Sequence, residues 1–163
     1  MSFLHPRTSR AAFEQEAPQV VAALRMLGRA VESSSLDKSL IELAKLRASQ
    51  LNACAFCLQY HLDQARRLGL APAKIDLLAA WREAGVFSAR EHAALAWAEA
   101  LTLMSRAPIA DSQYAELRAE FSASEIAHLT AAVAEINAWN RIAGALQFSP
   151  SSTTGQTDEG DRS

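Results

Sequence analysis

The long central part of this chain, residues 29–148, contains few residues that interrupt helices. Glycine and proline are scarce there, and alanine is abundant. Valine and isoleucine rarely cluster, and no stretch alternates convincingly between apolar and polar residues. Alanine has the highest helix propensity, whereas a half-buried strand requires a period of two. The pattern therefore predicts an all-α fold and argues against a β-sheet.

Length and charge narrow the class of protein further. A chain of 163 residues is expected to form a single domain with a substantial hydrophobic core. The net charge of −2 gives no electrostatic reason to expect binding to nucleic acid or to an anionic membrane. The first residues lack the apolar region of a signal peptide, and no apolar run is long enough to cross a membrane. We therefore expect a cytoplasmic protein without a membrane-spanning segment.

Capping and stop signals predict the order of the helices. Residues 1–17 are expected to be a loosely ordered extension, residues 18–148 one helical domain, and the polar residues 149–163 a disordered tail. Helix starts are predicted at Pro18, Asp37, Cys54, Pro72, Ser88, Asp111 and Ser122. Helix ends are predicted near Leu51–Asn52, at Leu68–Gly69 and before Pro108.

Two cysteines and a histidine form the most informative motif. Cys54 and Cys57 are the only cysteines of the chain, and His61 follows four residues after the second. Without a secretion signal, a close cysteine pair is more often catalytic or metal-binding than structural. A helix beginning at about Cys54 would place all three side chains on one face, at i, i+3 and i+7. This arrangement favours thiol redox chemistry.

Two arguments assign the nucleophile differently. Cys54 would lie at the helix N-terminus, where free N–H groups and the helix dipole favour a thiolate. His61 would lie one turn beyond Cys57 and could accept its thiol proton. We give more weight to the histidine because it can transfer a proton as well as stabilise charge, although the sequence leaves both assignments open. Glu42, on the preceding helix, could orient the imidazole directly or through a water molecule.

The spacing of Glu42, Cys54, Cys57 and His61 resembles that of the AhpD-like alkylhydroperoxidases of the carboxymuconolactone decarboxylase superfamily. The flanking segments are also similar to that family, and the resemblance extends over about residues 18–148. These segments are Ile41-Glu42-Leu43, the run from Arg47 to Cys57, and the run Ile136-Asn137-Ala138-Trp139-Asn140-Arg141. One residue departs from the best-characterised AhpD type, which has a second histidine where this chain has Phe56.

The resemblance implies both a fold and an activity. It implies an all-helical bundle that assembles as a trimer or hexamer and reduces peroxides with a dithiol. Cys57 would be the peroxidatic residue, Cys54 the resolving residue, His61 the base, and Glu42 the last member of a proton relay. An external dithiol, such as a lipoyl protein or a thioredoxin-like protein, would restore the thiols. No metal or organic cofactor is implied.

Other interpretations of the same residues remain open. The cysteines could be small buried hydrophobes, or they could hold zinc with His61 and Glu42. A redox-sensing or zinc-holding helical module that binds a partner protein is therefore a non-enzymatic alternative. A decarboxylating lyase is a further alternative, although such an enzyme would not need the cysteine pair. Residues Asn137, Asn140 and Arg141 could line the site or an interface, whereas Trp139 is expected to pack in the core or an interface.

Overall fold

The computed structural model describes residues 6–150 and confirms the all-α prediction for that part of the chain. It contains eight α-helices, a short 3-10 helix at Leu78–Ala80, and no strand within the described residues. The helices are α1 (Arg10–Glu16), α2 (Pro18–Glu32), α3 (Lys38–Leu51), α4 (Ala55–Arg67), α5 (Pro72–Asp76), α6 (Ala89–Thr102), α7 (Asp111–Glu120) and α8 (Ala123–Leu146).

The predicted capping residues account for most helix ends. Asp37 caps α3 by accepting from the backbone N–H of Leu40 at 3.0 Å. Ser88 and Ser122 each form the predicted capping box with the glutamate three residues later, at the starts of α6 and α8. Each box satisfies two backbone N–H groups that a helix start leaves without partners. These predictions are confirmed.

Helix α3 lies at the centre of the molecule and packs against α4, α6 and α8. Its apolar residues are buried on several sides, and two charged residues, Glu42 and Lys45, are buried with them. A helix that is covered on several sides can carry charges only where partners or a cavity receive them. The burial of Glu42 and Lys45 therefore marks the part of α3 where a polar site is built.

The N-terminal segment is more regular than the sequence suggested. Ser9 caps α1 by accepting from the N–H of Ala12, and α1 packs against α2. The backbone N–H of Arg7 donates to the carbonyl of Leu146 at 3.1 Å, which ties the segment to the end of α8. The expectation of loose order is therefore wrong for residues 10–16. The predicted disordered tail falls almost entirely on residues 151–163, which lie outside the described residues.

Two smaller expectations also differ from the structure. Asp111 is the first residue of α7 and not its N-cap; Ala110 occupies the cap, and its N–H donates to the side chain of Gln113 at 2.9 Å. The sequence also predicts an apolar stripe on α2, formed by Val20, Val21, Leu24, Leu27 and Val31. This stripe is only partly buried, because Val20 and Leu27 are exposed. No helix in the described part of the chain combines the length and the apolar character that a membrane span requires.

Candidate active site

The two cysteines lie at the turn between α3 and α4. Asn52 ends α3, and Ala53 adopts a left-handed conformation with φ of 51°. Cys54 is then the N-cap of α4 in extended backbone, and its sulfur accepts from the N–H of Cys57 at 3.3 Å. The sequence predicted the helix start at about Cys54, and Cys54 is the residue that caps the helix, because the tight turn after Asn52 ends in extended backbone.

The cysteines are joined by a disulfide bond. Their Cα atoms are 5.3 Å apart, and both residues are 3% exposed. At a helix N-terminus the side chain of the N-cap residue lies over the first turn. A disulfide can therefore join Cys54 to Cys57 without disrupting α4. The pair is thus one oxidised unit packed beside Ile136 of α8 and Phe148.

His61 and Glu42 form a buried pair across the α3–α4 interface. The Nδ1 atom of His61 lies 2.7 Å from Oε2 of Glu42, and the two residues are 7% and 8% exposed. An ionised carboxylate can only accept hydrogen bonds, so the imidazole donates from Nδ1. This hydrogen bond leaves Nε2 available as the proton acceptor of the neutral ring. The sequence left open a direct or a water-mediated contact between these residues, and the contact is direct.

A cavity of about 450 Å³ connects these groups. Cys57, His61 and Glu42 line it, whereas Cys54 does not. Aromatic and aliphatic side chains form much of the remaining wall, namely those of Ile41, Phe56, Tyr60, Leu68, Ile136 and Trp139. The cavity is therefore large enough for a small organic molecule and has one cysteine of the pair on its surface.

The sequence did not reveal a second buried charge pair on the cavity wall. Nζ of Lys45 lies 2.8 Å from Oε2 of Glu135, and the residues are 4% and 7% exposed. By distance this contact is an ion pair, but its angles do not meet those of a hydrogen bond to Oε2 of Glu135. Glu135 also lies close to α2, because a Cβ atom on Gly28 would come within 3.0 Å of its Oε1 atom.

Several positive side chains line the cavity. Arg10 and Arg25 both contact Oε1 of Glu14, at 2.8 and 2.7 Å. The hydrogen bond from Arg10 is the main reason that the pKa of Glu14 is lowered, and Arg25 contributes in the same direction. Arg29 and Lys38 also line the cavity, and neither forms an ion pair with any residue in the 6–150 range.

The four residues that were left open near the end of α8 separate into two groups. Trp139 lines the cavity and packs against the cluster that contains the cysteines. Asn137 and Asn140 instead accept hydrogen bonds from the side chain of Asn52, at 2.9 and 2.8 Å. Arg141 donates to the side-chain oxygen of Asn137 at 3.0 Å. The asparagines therefore fix α8 to the turn that carries Cys54.

The donor set does not favour a metal centre. Within residues 6–150, no group of three or more His, Cys, Asp or Glu side chains is arranged to hold a metal ion. The two sulfurs are bonded to each other, and thiolates rather than disulfides ligate zinc. The zinc-holding alternative therefore finds no support in the described part of the structure.

Fold and site together define an all-helical protein in which a CxxC disulfide lies beside a buried His–Glu pair. The model of the carboxymuconolactone decarboxylase family matches residues 15–100. A protein of Bacillus subtilis (strain 168), the uncharacterized protein YdfG, is 32% identical over 139 residues, which are 85% of this chain and 95% of YdfG. The chain belongs to the carboxymuconolactone decarboxylase family and, within that superfamily, is AhpD-like.

Solved structures agree with this assignment. A crystal structure from Agrobacterium tumefaciens, described as a protein of unknown function and a candidate antioxidant defence protein AhpD, is 36% identical with a TM-score of 0.85. That match covers 90% of this chain and 99% of the other. The debrominase Bmp8 has a TM-score of 0.77 at 19% identity, covering 85% of this chain and 74% of Bmp8. At that identity the similarity to Bmp8 concerns the fold alone.

Proposed function

We propose that this protein is a dithiol-dependent hydroperoxide reductase. The proposal depends on the arrangement of Cys57 and its neighbours. Cys57 lines the cavity one helical turn before the buried His61–Glu42 pair, and Cys54, which does not line the cavity, is bonded to the sulfur of Cys57. A nucleophilic sulfur, a base and a group that orients the base are the three elements that an activated thiol requires. The membership of the AhpD-like group supports the same activity.

The reaction begins with the reduced pair. His61 takes the thiol proton of Cys57, and the thiolate attacks the distal oxygen of the hydroperoxide. The O–O bond breaks, the sulfur becomes a sulfenic acid, and the leaving alkoxide takes a proton to become the alcohol. The thiol of Cys54 then attacks the sulfur of the sulfenic acid. The hydroxyl group leaves with the thiol proton as water, and the disulfide forms.

The catalytic cycle closes with an external dithiol. Its thiolate attacks the disulfide, a mixed disulfide forms, and the second thiol of the donor releases both cysteines in the reduced state. We propose a lipoyl or thioredoxin-like protein as this donor, and a homo-oligomer as the working form. The reaction needs no metal or organic cofactor, since the two cysteines supply both electrons.

Cysteine variants test this assignment. Consumption of an organic hydroperoxide by the wild-type protein should require an added dithiol, and Cys57→Ser should abolish it. Cys54→Ser should also stop turnover, but it should leave a sulfenic acid at Cys57 that a sulfenic-acid-specific dione traps and mass spectrometry locates. Trapping at Cys54 in the Cys57→Ser protein would reverse the two roles.

The contrasting substrate is a brominated pyrrole, because the debrominase Bmp8 has a similar fold and one of its structures is a complex with 2,3,4-tribromopyrrole. Turnover of the pyrrole with no consumption of any hydroperoxide would refute the reductase. Activity on a lactone that survives in the double variant Cys54→Ser/Cys57→Ser would favour a lyase. The far-ultraviolet circular dichroism of each variant should match that of the wild type, so that loss of activity is not loss of fold.

A further inference from the structure

The cavity runs between matching faces of α2 and α3. On each helix the lining residues follow the spacing i, i+3, i+4 and i+7, which places them along a single face. On α2 these residues are Arg25, Gly28, Arg29 and Glu32, and on α3 they are Lys38, Ile41, Glu42 and Lys45. The two helices are joined by the short segment 33–37. On α3 the lining residues therefore extend over two turns, from Lys38 to Lys45.

The two ends of this cavity differ in chemistry. Arg29 and Lys38 lie at the end where α2 stops and α3 begins. His61 faces the middle of α3 through Glu42. Cys57 lies one turn of α4 further from Lys38, because α3 and α4 pack as a hairpin and run in opposite directions. Along α3 the rise from Lys38 to Glu42 is about 6 Å, and the turn of α4 from His61 to Cys57 adds about 5 Å. The reacting sulfur and the cationic end are thus separated by about 10 Å along the helix axis.

The charges of the inner cavity compensate each other, whereas the end that holds Arg29 and Lys38 carries two cations and one acid, Glu32, and so keeps one positive charge (two minus one). Glu42 is paired with His61, and Lys45 is paired with Glu135. Five lining residues are cationic and three are acidic (five minus three leaves two), although the whole chain has a net charge of −2. The excess positive charge includes Arg29 and Lys38, which have no acidic partner among the described residues.

The wall between the two ends suits an apolar chain. Ile41 lies between Lys38 and Lys45 on the lining face of α3, and Leu68, Ile136 and Trp139 contribute further apolar surface. An apolar stretch flanked by a reactive sulfur at one end and unpaired cations at the other selects for an amphiphilic molecule. The molecule would place its anionic group at the cations and its apolar body along the wall.

We propose that the cavity binds aliphatic carboxylates, with Arg29 and Lys38 holding the carboxylate at one end and Cys57 meeting the other end of the molecule about 10 Å away. The physiological substrates would then be hydroperoxides of carboxylic acids, in which the hydroperoxide and the carboxylate are separated by an apolar spacer. The identity of the reacting group rests on the function proposed above, whereas the carboxylate site does not.

Calorimetric binding of redox-inert ligands tests the carboxylate site separately from catalysis. Saturated monocarboxylates of graded chain length should bind to the wild-type protein, and their methyl esters should bind about tenfold more weakly, a difference of about 1.4 kcal/mol. The double variant Arg29→Gln/Lys38→Gln should lose this preference. Arg67→Gln, which removes one charge from an exposed position of α4 that does not line the cavity, should keep it.

Turnover of ω-hydroperoxy carboxylates and of their methyl esters gives the second readout. The double variant should raise KM for the acids about tenfold more than it raises KM for the esters, because only the acids carry the charge that Arg29 and Lys38 hold. Equal binding of acid and ester to the wild type, or a preference that survives in the double variant, would overturn the proposal. A preference abolished instead by Arg25→Gln would also overturn it. Arg25 shares Glu14 with Arg10, and Arg10 lies over the ring of Phe56 beside Cys57, so the anion would then bind near the sulfur.

The two hypotheses fail in different ways. If no hydroperoxide is consumed but the carboxylate preference depends on Arg29 and Lys38, the binding site stands and the proposed reductase fails. If hydroperoxides are consumed with no distinction between acid and ester in binding or KM, the reductase stands and the carboxylate site fails. Both arms use the complete folded protein, and both substituted side chains are exposed, so the substitutions leave the core intact.

Discussion

Replacing Glu42 with glutamine removes the charge behind His61 while keeping the side-chain volume. In the wild-type protein the carboxylate accepts from Nδ1 of the imidazole at 2.7 Å, in surroundings where both residues are at most 8% exposed. The glutamine oxygen can still accept this hydrogen bond, so the variant tests the charge and not the presence of a partner. Because the imidazole becomes positive when it takes the proton of Cys57, the charge matters most after proton transfer.

The size of the effect follows from the kind of hydrogen bond that is changed. A hydrogen bond to a charged group contributes about 1.5–3 kcal/mol, and one between neutral groups about 0.5–1.5 kcal/mol. The difference is about 1–1.5 kcal/mol, which corresponds to roughly a tenfold change in rate. We therefore expect Glu42→Gln to lower kcat/KM for a hydroperoxide about tenfold, and Glu42→Ala to lower it further, because no acceptor for Nδ1–H would remain.

The assay measures the reaction of Cys57 alone. In a Cys54→Ser background, single-turnover formation of the sulfenic acid is followed across a range of pH, with Glu42 intact and with the Glu42→Gln substitution. The matched control is Glu32→Gln, which makes the same chemical change at an exposed residue lining the same cavity. An unchanged rate for Glu42→Gln, or an equal loss in Glu32→Gln, would refute the relay. Urea unfolding of both variants separates a chemical effect from a loss of stability.

Two further predictions concern stability. Oε1 of Glu99 accepts hydrogen bonds from Arg47 at 2.6 Å and from Trp81 at 2.9 Å. Burial raises the pKa of this carboxyl group, but the hydrogen bonds that it accepts, first among them the one from Arg82, outweigh burial, so its pKa is lowered from 4.5. The Glu99 carboxylate therefore contributes fully to the free energy of unfolding above about pH 5, and this contribution is lost as pH falls through the lowered pKa. Glu99→Gln should lower the free energy of unfolding in urea by about 2–3 kcal/mol at neutral pH and make stability depend less on pH in the acidic range. Equal dependence of stability on pH in the two proteins would contradict this. Ala53→Gly should raise the free energy of unfolding by up to about 1 kcal/mol, because glycine adopts the left-handed φ of this position without strain. The control Ala23→Gly in the middle of α2 should lower the free energy of unfolding by about 1 kcal/mol. A lower free energy of unfolding in both variants would contradict the strain argument.

The sequence predicted the elements that depend on local interactions. The capping boxes at Ser88 and Ser122 each involve residues three apart, so the signal and the structure lie within one turn. Helix α1 was missed because its order depends on distant residues. Arg7 bonds to Leu146, and the ring of Phe13 packs on that of Phe148 with centroids 5.9 Å apart. No window of the N-terminal sequence contains those partners.

In the candidate site, too, local contacts were predicted from the sequence and contacts between distant segments were not. Glu42 and His61 are close because a single helical hairpin brings residues 19 positions apart into contact, and the spacing of the motif predicted this. The pair Lys45–Glu135 joins α3 to α8, so only the packing of the whole bundle brings it together. Ala53 was also unpredictable, since glycine or asparagine usually occupies a left-handed position and alanine gives no signal of it.

The buried pair of Lys45 and Glu135 bears on the chemistry of the cavity more than on the stability of the fold. A buried ion pair seldom stabilises a protein relative to well-packed apolar residues, because desolvation of both charges offsets their attraction. Here the pair lies on the wall of the same cavity that Cys57 lines. A purely apolar cavity would disfavour a thiolate, whereas fixed charges on its wall provide a polar environment without bulk water. The pair therefore belongs with His61 and Glu42 to the polar surroundings in which the proposed thiolate would form.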